Sequence, residues 1–411
     1  MSTAAVTPSP VGVREAAFHR PLRVGIYTPT YPGISEGGIG TYTHHLAHGL
    51  TALGHTVHVL TPGAEEQAFT DGLVSVHTIT QAYLPLIDRL VPGTGANWRV
   101  GQAMLRLVKE HALDIVELPN WEALGLYFCL RRPCPVVVRL YTSSLDSARI
   151  NGGPVDRLGR WEIRREAWLT RAADALVTHS EVHGAAVANY VGVVPSTIAI
   201  VPLGIPVDLE FERPPPPQHR LSIVYLGRLE RRKGTIDLLR AIPEVVKQVP
   251  EVHFTLIGAD RRHCPGGRTH AEFAADELPR DVQDHISFLG ELPTPEVDRW
   301  LQSADLFVAP SLYESFGLIF LEAMRWQTPV IGTRTGGIPE IIQDGVTGAL
   351  VAPGSPRELA AKMVELLNDD AQRARLGLAG RRRVEEHFSV ERMAQRVSRF
   401  YADTLNARRR R

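Results

Sequence analysis

Two stretches of the chain put charged side chains where an apolar run gives way to a helix. In Tyr225-Leu226-Gly227-Arg228-Leu229-Glu230-Arg231-Arg232-Lys233-Gly234, Arg228 stands just past a strand-like run and Lys233 follows one loop later. Arginine grips phosphate oxygens through a planar fork and lysine acts as a point charge, so the two cations suit a diphosphate. The other reading is a solvated basic turn, which describes Arg231 and Arg232. The second stretch is Ser311-Leu312-Tyr313-Glu314-Ser315-Phe316-Gly317-Leu318-Ile319-Phe320-Leu321-Glu322-Ala323-Met324. Here Ser315 reads as a helix N-cap, and Gly317 lets a ligand approach the backbone. The free amides of Phe316, Gly317, Leu318 and Ile319 then form an anion site at the positive end of the helix dipole. Glu314 and Glu322 are eight residues apart, which on one helix is an offset of about 80° and about 12 Å along the axis. Each carboxylate can accept a pair of hydroxyl hydrogens, so together they can hold two polyols on either side of a phosphate. The alternative is an N-terminal charge and a surface glutamate.

The elements that must position these residues are legible as alternation. Short β-branched runs at Leu22–Tyr27, Thr56–Leu60, Val74–Ile79, Asp114–Glu117, Pro135–Leu140, Ala175–Thr178 and Ile198–Val201 alternate with helical patterns. One of these helices is Gly40–Leu53, stopped by Gly54. Nearly continuous apolar strands separated by helices predict a parallel sheet covered on both faces. Glu212–His219 holds four consecutive prolines and reads as a stiff linker. The alternation restarts at Ser222–Leu226 and continues through His253–Ile257, Ile286–Phe288, Leu306–Ala309 and Pro329–Gly332. Two open α/β sheets in one chain predict a cleft at the carboxyl ends of their strands.

Composition narrows the class. The 411 residues carry 45 Lys plus Arg against 45 Asp plus Glu, so no net field favours nucleic acid. Three cysteines, Cys129, Cys134 and Cys264, make no C-x-x-C pair and point to a reducing, cytoplasmic compartment. Residues 1–20 lack the apolar core of a secretory signal and read as a disordered tail. The chain ends in four arginines, read as a solvated basic tail, with weak peripheral contact to anionic lipid as the other possibility.

Arg228-x4-Lys233 after a Gly-ended strand, then Glu314-x7-Glu322 in a Glu-Ser-Phe-Gly-Leu context, resembles the family-4 retaining glycosyltransferases of GT-B fold. Thr328–Gly332, Gly336-Gly337-Ile338-Pro339-Glu340, Asp344–Gly348 and Leu203-Gly204-Ile205-Pro206-Val207-Asp208 agree with that resemblance, which covers about residues 21 to 400. It implies two Rossmann-like domains facing a central cleft: residues 21–204 on the acceptor side and 205–385 on the nucleotide-sugar side. A C-terminal helix, 386–407, crosses back to the first domain. It implies that Gly227, Arg228 and Lys233 bind the donor diphosphate, that Glu314 contacts the transferred sugar, and that Glu322 contacts the ribose. The amides of Phe316 to Ile319 hold phosphate or sugar oxygens, and the base lies against the Phe288-Leu289-Gly290-Glu291 turn. The partners implied are a nucleotide-sugar donor, which is a co-substrate and no cofactor, and a hydroxyl-bearing acceptor. The reaction implied is transfer with retention by front-face displacement. No Asp-x-Asp occurs, so no metal-bridged diphosphate is expected.

The first domain carries weaker signals. Gly37-Gly38-Ile39-Gly40 opens a helix, but Thr43 stands where a dinucleotide fingerprint needs its third glycine. The resemblance puts Gly37, Gly38 and Gly40 across the cleft from the donor. One position departs from the family: Tyr141 stands where a histidine commonly reaches the transferred sugar. A phenol donates a hydrogen bond but rarely carries charge near neutral pH. His44, His45 and His48 have metal-like spacing without an evident third ligand, and His263-Cys264 with His270 lies in a loop. No metal is assigned to either. Arg157, Arg160, Arg164, Arg165 and Arg171, with Trp161 and Trp168, read as a solvated face over core aromatics; docking on a membrane or on an anionic acceptor is the other reading. Trp98, Asn120, Trp121 and Glu122 are candidates for the acceptor side. The rival functions are another GT-B enzyme, a phosphorylase or nucleotide-sugar epimerase, and a non-catalytic sugar-nucleotide-binding protein.

Overall fold

The β-branched runs pair as two sheets. In the computed structural model, which describes residues 20–35, 37–80, 88–89, 91–151, 156–207 and 221–410, the first sheet has eight strands. These are β1 (Arg23–Tyr27), β2 (Thr56–Pro62), β3 (Gln67–Asp71), β4 (Val74–Ile79), β5 (Ile115–Pro119), β6 (Val136–Arg139), β7 (Ala175–Thr178) and β8 (Ile198–Ile200). Their order is β3-β4-β2-β1-β5-β6-β7-β8. The second sheet holds β9 (Ser222–Leu226), β10 (His253–Ile257), β11 (Ile286–Gly290), β12 (Leu306–Val308), β13 (Val330–Thr333) and β14 (Ala349–Val351), in the order β11-β10-β9-β12-β13-β14. Residues 1–19, read above as a disordered tail, and the linker Glu212–His219 lie outside the described residues.

Two strands were not anticipated. β3 runs antiparallel to β4 through a tight turn at Gly72, so the first sheet is parallel except at this edge. Its residues are mostly exposed, and a polar edge strand carries no apolar run to find. β14 is three residues long, too short for periodicity to show. Elsewhere the strand ends shift by one or two residues.

Both sheets reverse their winding at the strand pairs that matter. In the first sheet β1 lies between β2 and β5, and in the second β9 lies between β10 and β12. Crossovers on either side leave these strand ends uncovered, which makes a crevice. The loops after β1, β5, β9 and β12 therefore line the cleft.

The two sheets are joined by the end of the chain. Helix Asp370–His387 ends at Phe388, and a separate helix, Val390–Arg409, packs on the first domain. The crossing helix is thus Val390–Arg409 and not 386–407; Ser389, whose hydroxyl accepts from the Arg392 amide, restarts it. It lies on helix Gly38–Ala52, which begins two residues earlier than expected. Gly49 permits this contact, because a Cβ there would sit 2.8 Å from both Ala394 and Val390. His55 Nε2 meets the Ser398 hydroxyl at 2.8 Å. The expected basic tail is partly structural: Arg408 reaches Asp174 at 3.5 Å and the Arg132 carbonyl at 3.2 Å. Among the described residues, no helix is long and apolar enough to cross a membrane.

At the centre of this junction is a buried ion pair. Arg139, 0% exposed, donates to Glu117, 2% exposed, through Nε at 2.7 Å and Nη2 at 3.2 Å. Tyr42 donates its hydroxyl to Glu117 Oε1 at 3.1 Å, and Tyr401 donates to Oε2 at 2.8 Å. The Arg139 guanidinium lies 4.6 Å from the Tyr42 ring centre. Removing one partner of a buried pair leaves an uncompensated charge, which costs about 3–5 kcal/mol. Glu117→Ala should therefore destabilise the first domain by about that amount. Tyr401→Phe removes one hydroxyl and should cost about 1–2 kcal/mol. Urea unfolding of both variants measures the difference, and the ordering should be Glu117→Ala far above Tyr401→Phe.

Candidate active site

The loop after β9 turns back sharply. Tyr225 fixes it: its hydroxyl meets the Arg228 carbonyl at 3.2 Å and the Thr235 hydroxyl at 3.1 Å. The loop after β12 runs beside it, with the Leu312 amide donating to the Arg232 carbonyl at 2.8 Å. Thr333, at the end of β13, donates to the Ser311 carbonyl at 2.6 Å. Gly336, at φ +53°, closes the other side; a Cβ there would lie 2.0 Å from the Glu314 carbonyl oxygen. The Gly337 amide donates to that same oxygen at 2.9 Å.

These constraints bring four charges together. Lys233 Nζ donates to Glu314 Oε1, and Ser311 donates to the same oxygen at 3.1 Å. Arg232 approaches Glu314 Oε2 at 3.5 Å, donates to the Tyr313 carbonyl at 3.0 Å, and meets Glu230 at 2.9 Å. Burial alone would raise the Glu314 pKa, but Lys233 and Arg232 outweigh it and hold the carboxyl below its ordinary range. Burial lowers Lys233, with Glu314 opposing. Arg228 is different: it is 57% exposed and touches Glu230 only at 3.4 Å. It stands at the mouth of the cleft while Lys233 lies inside.

Several sequence expectations change here. The basic turn splits: Arg231 is exposed, but Arg232 is buried and bridges two carboxylates. Ser315 is not the N-cap. The helix is Leu318–Met324, capped by Gly317 at φ 110°, and the Ser315 carbonyl instead accepts from Ser180 at 2.7 Å. Glu314 therefore sits in the loop, and the helical offset from Glu322 does not apply. Glu322 is on the helix; burial raises its pKa, and Arg325 and Lys233 act against that rise. The helix start leaves the amides of Gly317, Leu318 and Ile319 among the first N–H groups, which have no partner within a helix. Phe316 turns its ring into the core, 5.9 Å from Phe388 and 6.2 Å from His179. Leu289 falls near the end of strand β11 rather than in a free turn.

The first domain forms the facing wall. Gly37, Gly38 and Gly40 open their helix as expected, and the Gly40 amide donates to the Thr30 hydroxyl at 3.1 Å. Tyr141 follows β6 and is clamped by Asn120, which accepts from the Tyr141 amide at 2.7 Å and donates to its carbonyl at 3.2 Å. Burial pushes the Tyr141 phenol well above its ordinary range, with Arg139 opposing. Its ring lies 4.8 Å from His179 and 6.3 Å from Tyr42. His179 was missed in the sequence. It is the first residue past β7, buried, and neither ring nitrogen has a hydrogen-bond partner; burial lowers its pKa far below normal. The strand-end rule could have found it.

The domains also touch directly. Glu340 accepts from the Glu181 and Val182 amides at 3.0 and 3.1 Å, and His183 meets the Tyr313 hydroxyl at 2.9 Å. Among the acceptor-side candidates, Trp98 and Glu122 are exposed, Trp121 is half-buried, and Asn120 is the Tyr141 clamp. Trp168 is exposed, not core, and Arg165 is buried, not solvated. Trp161 instead donates to the Pro92 carbonyl at 3.2 Å. The histidines His44 and His48 do find a third group: both meet Asp71 Oδ2, at 3.2 and 3.1 Å. His270 pairs with Asp260 at 2.9 Å.

Comparison with known proteins fits this geometry. Residues 36–209 match the family described as Glycosyltransferase Family 4, and residues 220–369 match Glycosyl transferases group 1. Together they span most of the chain. A glycogen synthase of Mycobacterium tuberculosis is 27% identical over 401 residues, covering 92% of this chain and 94% of that one. Among solved structures, sucrose-phosphate synthase from Thermosynechococcus elongatus superposes with a TM-score of 0.76 at 20% identity, covering 94% of this chain and 100% of that one. Anabaena HepE in complex with UDP-glucose gives 0.67 at 18%, covering 94% and 100%. The structural likeness shows the fold, GT-B.

The split of the basic turn has a direct consequence. Arg232→Leu strips Glu230 and Glu314 of a buried partner and should lower stability by about 3–5 kcal/mol. Arg231→Ala should stay within about 0.5 kcal/mol, as exposed substitutions usually do. Chemical denaturation of the two neighbours should separate them clearly; equal effects would mean that Arg232 does not bridge the carboxylates.

Proposed function

The chain belongs to the group 1 glycosyltransferases of family 4, and on that premise we propose that it moves a sugar from a nucleoside-diphosphate donor to an acceptor hydroxyl with retention of configuration, without a metal bridging the diphosphate. The observation that carries this reading is the Lys233–Glu314–Arg232 cluster at the crevice beside β9 and β12. It sets fixed positive charge and a carboxylate next to the amides that open helix Leu318–Met324. UDP-glucose bound in HepE supports a nucleoside-diphosphate hexose as the donor class.

In this reading Lys233, Arg228 at the mouth, and the amides of Gly317 to Ile319 stabilise charge on the departing diphosphate. Lys233 shares its hydrogens between Glu314 and the phosphate, while Arg232 and Ser311 keep Glu314 paired. A carboxylate so engaged suits acceptance of sugar hydroxyl hydrogens better than nucleophilic attack. The acceptor oxygen bonds to the anomeric carbon on the face from which the diphosphate oxygen leaves, and that oxygen takes the acceptor proton. Glu322 accepts from the ribose hydroxyls, and Leu289 lies beside the base. Tyr141, whose phenol stays protonated, shapes the sugar pocket and transfers no proton in the reaction.

Incubation with a panel of nucleotide sugars and polyol acceptors, followed by assay of released diphosphate and the anomeric configuration of the product, tests the proposal. An inverted product, or turnover that requires a divalent ion, would overturn it in those respects. Arg228→Ala and Lys233→Ala should each weaken nucleoside diphosphate binding by about 1.5–3 kcal/mol in calorimetry. The two glutamates should separate: Glu314→Gln cuts turnover with little change in free nucleotide affinity, and Glu322→Gln weakens the nucleotide itself. Equal losses of nucleotide affinity would reject the assignment.

A further inference from the structure

Three histidines converge at a place that the donor cleft does not use. His58 lies on β2, His77 on the neighbouring β4, and His111 is the last residue of helix Thr94–His111. The parallel register sets His58 opposite Ser75 and Leu60 opposite His77, so both strand histidines share one face, two positions apart. His58 Nδ1 and His77 Nε2 are 3.1 Å apart. The His58 and His111 rings stack with centroids at 4.0 Å. One nitrogen from each ring lies within 4.8 Å of the other two.

We propose that His58, His77 and His111 form a binding site for a divalent transition metal of the zinc class. The chemistry of the set argues for an ion. Among the described residues, no carboxylate forms an ion pair with any of the three. His58 Nδ1 and His77 Nε2 stand at hydrogen-bond distance, one ring donating to the other, and His111 joins them by stacking on His58. A metal would replace that one shared hydrogen with a coordinate bond to each ring, and a second proton on the trio would set two like charges side by side. Burial, with the two neighbouring rings, pushes His58 down to about 4, and His77 is lowered by burial and His111, with Glu110 opposing. Neutral imidazole is the ligating form. Two zinc–nitrogen bonds of about 2.0–2.1 Å at a tetrahedral angle put their nitrogens about 3.3 Å apart, close to the observed 3.1 Å. Imidazole sets suit zinc, cobalt, nickel and copper, whereas magnesium and calcium call for oxygen. His77 and His111 are half-buried, which leaves an entry path and room for a water as fourth ligand.

The other histidine cluster makes a useful contrast. Asp71 Oδ2 already accepts from His44, His48 and the Tyr31 hydroxyl, so that group is satisfied without an ion. Location separates the proposed site from catalysis. His58 is in the first half of β2, and the helix ending at His111 leads back to the start of β5. The donor cleft lies at the opposite, carboxyl ends of the strands. The ion would clamp β2, β4 and the end of that helix together.

Cobalt spectroscopy on the full-length metal-free protein tests this. One equivalent of Co2+ should give the visible bands of a tetrahedral site, and Zn2+ should displace them. Zn2+ should also raise the melting temperature while leaving turnover unchanged. His111→Ala, at a half-exposed helix end, should weaken Co2+ by at least the about 100-fold at the top of the range for lost outer-shell partners, with circular dichroism unaltered. His111→Cys should restore a tetrahedral spectrum with a thiolate charge-transfer band. His44→Ala/His48→Ala should leave the spectrum intact. No tetrahedral bands in the wild type, their survival in His111→Ala, or their loss in His44→Ala/His48→Ala would each overturn the proposal.

Discussion

The Glu117–Arg139 pair is the constraint on which the architecture turns. A carboxylate and a guanidinium fully removed from water are costly unless further hydrogen bonds meet their remaining positions. Two tyrosine hydroxyls meet those of the carboxylate, one from the helix that carries the glycine loop and one from the last helix of the chain. The pair therefore fixes more than β5 and β6. It sets the height of the glycine loop at one wall of the cleft and the seat of the helix that ties the two domains. Asn120 and Tyr141, just beyond the paired residues, inherit their positions from it. One Arg139 nitrogen, Nη1, remains buried without a partner, so the arrangement is held by the network around it and not by its own completeness.

On the other wall, charge is arranged differently. Lys233 and Arg232 are balanced by Glu314 and Glu230 in a partly buried pocket, while Arg228 is largely in solvent. A pocket with bare cations would be costly to desolvate. One whose cations already have a carboxylate is less so, and it can exchange part of that contact for an incoming anion. The exposed arginine adds attraction at the mouth with little desolvation cost.

Much of this was legible in the sequence. Alternating apolar runs predict two parallel sheets because each strand is covered on both faces, and every central strand was found that way. The charged positions after β9 and β12 stood out because their spacing is local. What escaped reading depended on the fold. Arg231 and Arg232 are adjacent and chemically identical, and only the approach of the 311–317 loop decides that one is buried. Ser315 has the right residue type for a cap, but Gly317 can adopt a left-handed conformation that Ser315 cannot easily take, so the helix starts later. His179 carries no motif; it matters because β7 ends one residue before it. Asp71 could not be joined to His44 and His48, since an exposed edge strand gives no apolar signal. The resemblance to family-4 enzymes supplied roles for residues, and those roles rest on that resemblance together with the charge arrangement described above.

The junction also sets an order of events during synthesis. Tyr401 lies 284 residues after the glutamate it contacts. At translation rates of about 5–20 residues per second, that interval is about 15–60 s. Through all of it the first domain has its strands but not the hydroxyl, nor the apolar helix face, that complete it. The second domain must emerge, and its last helix must return, before the first is finished. The protein is divided in space into an earlier and a later half, yet in time it closes as one unit, and the surface awaiting the final helix is the part that the cell must keep from aggregating.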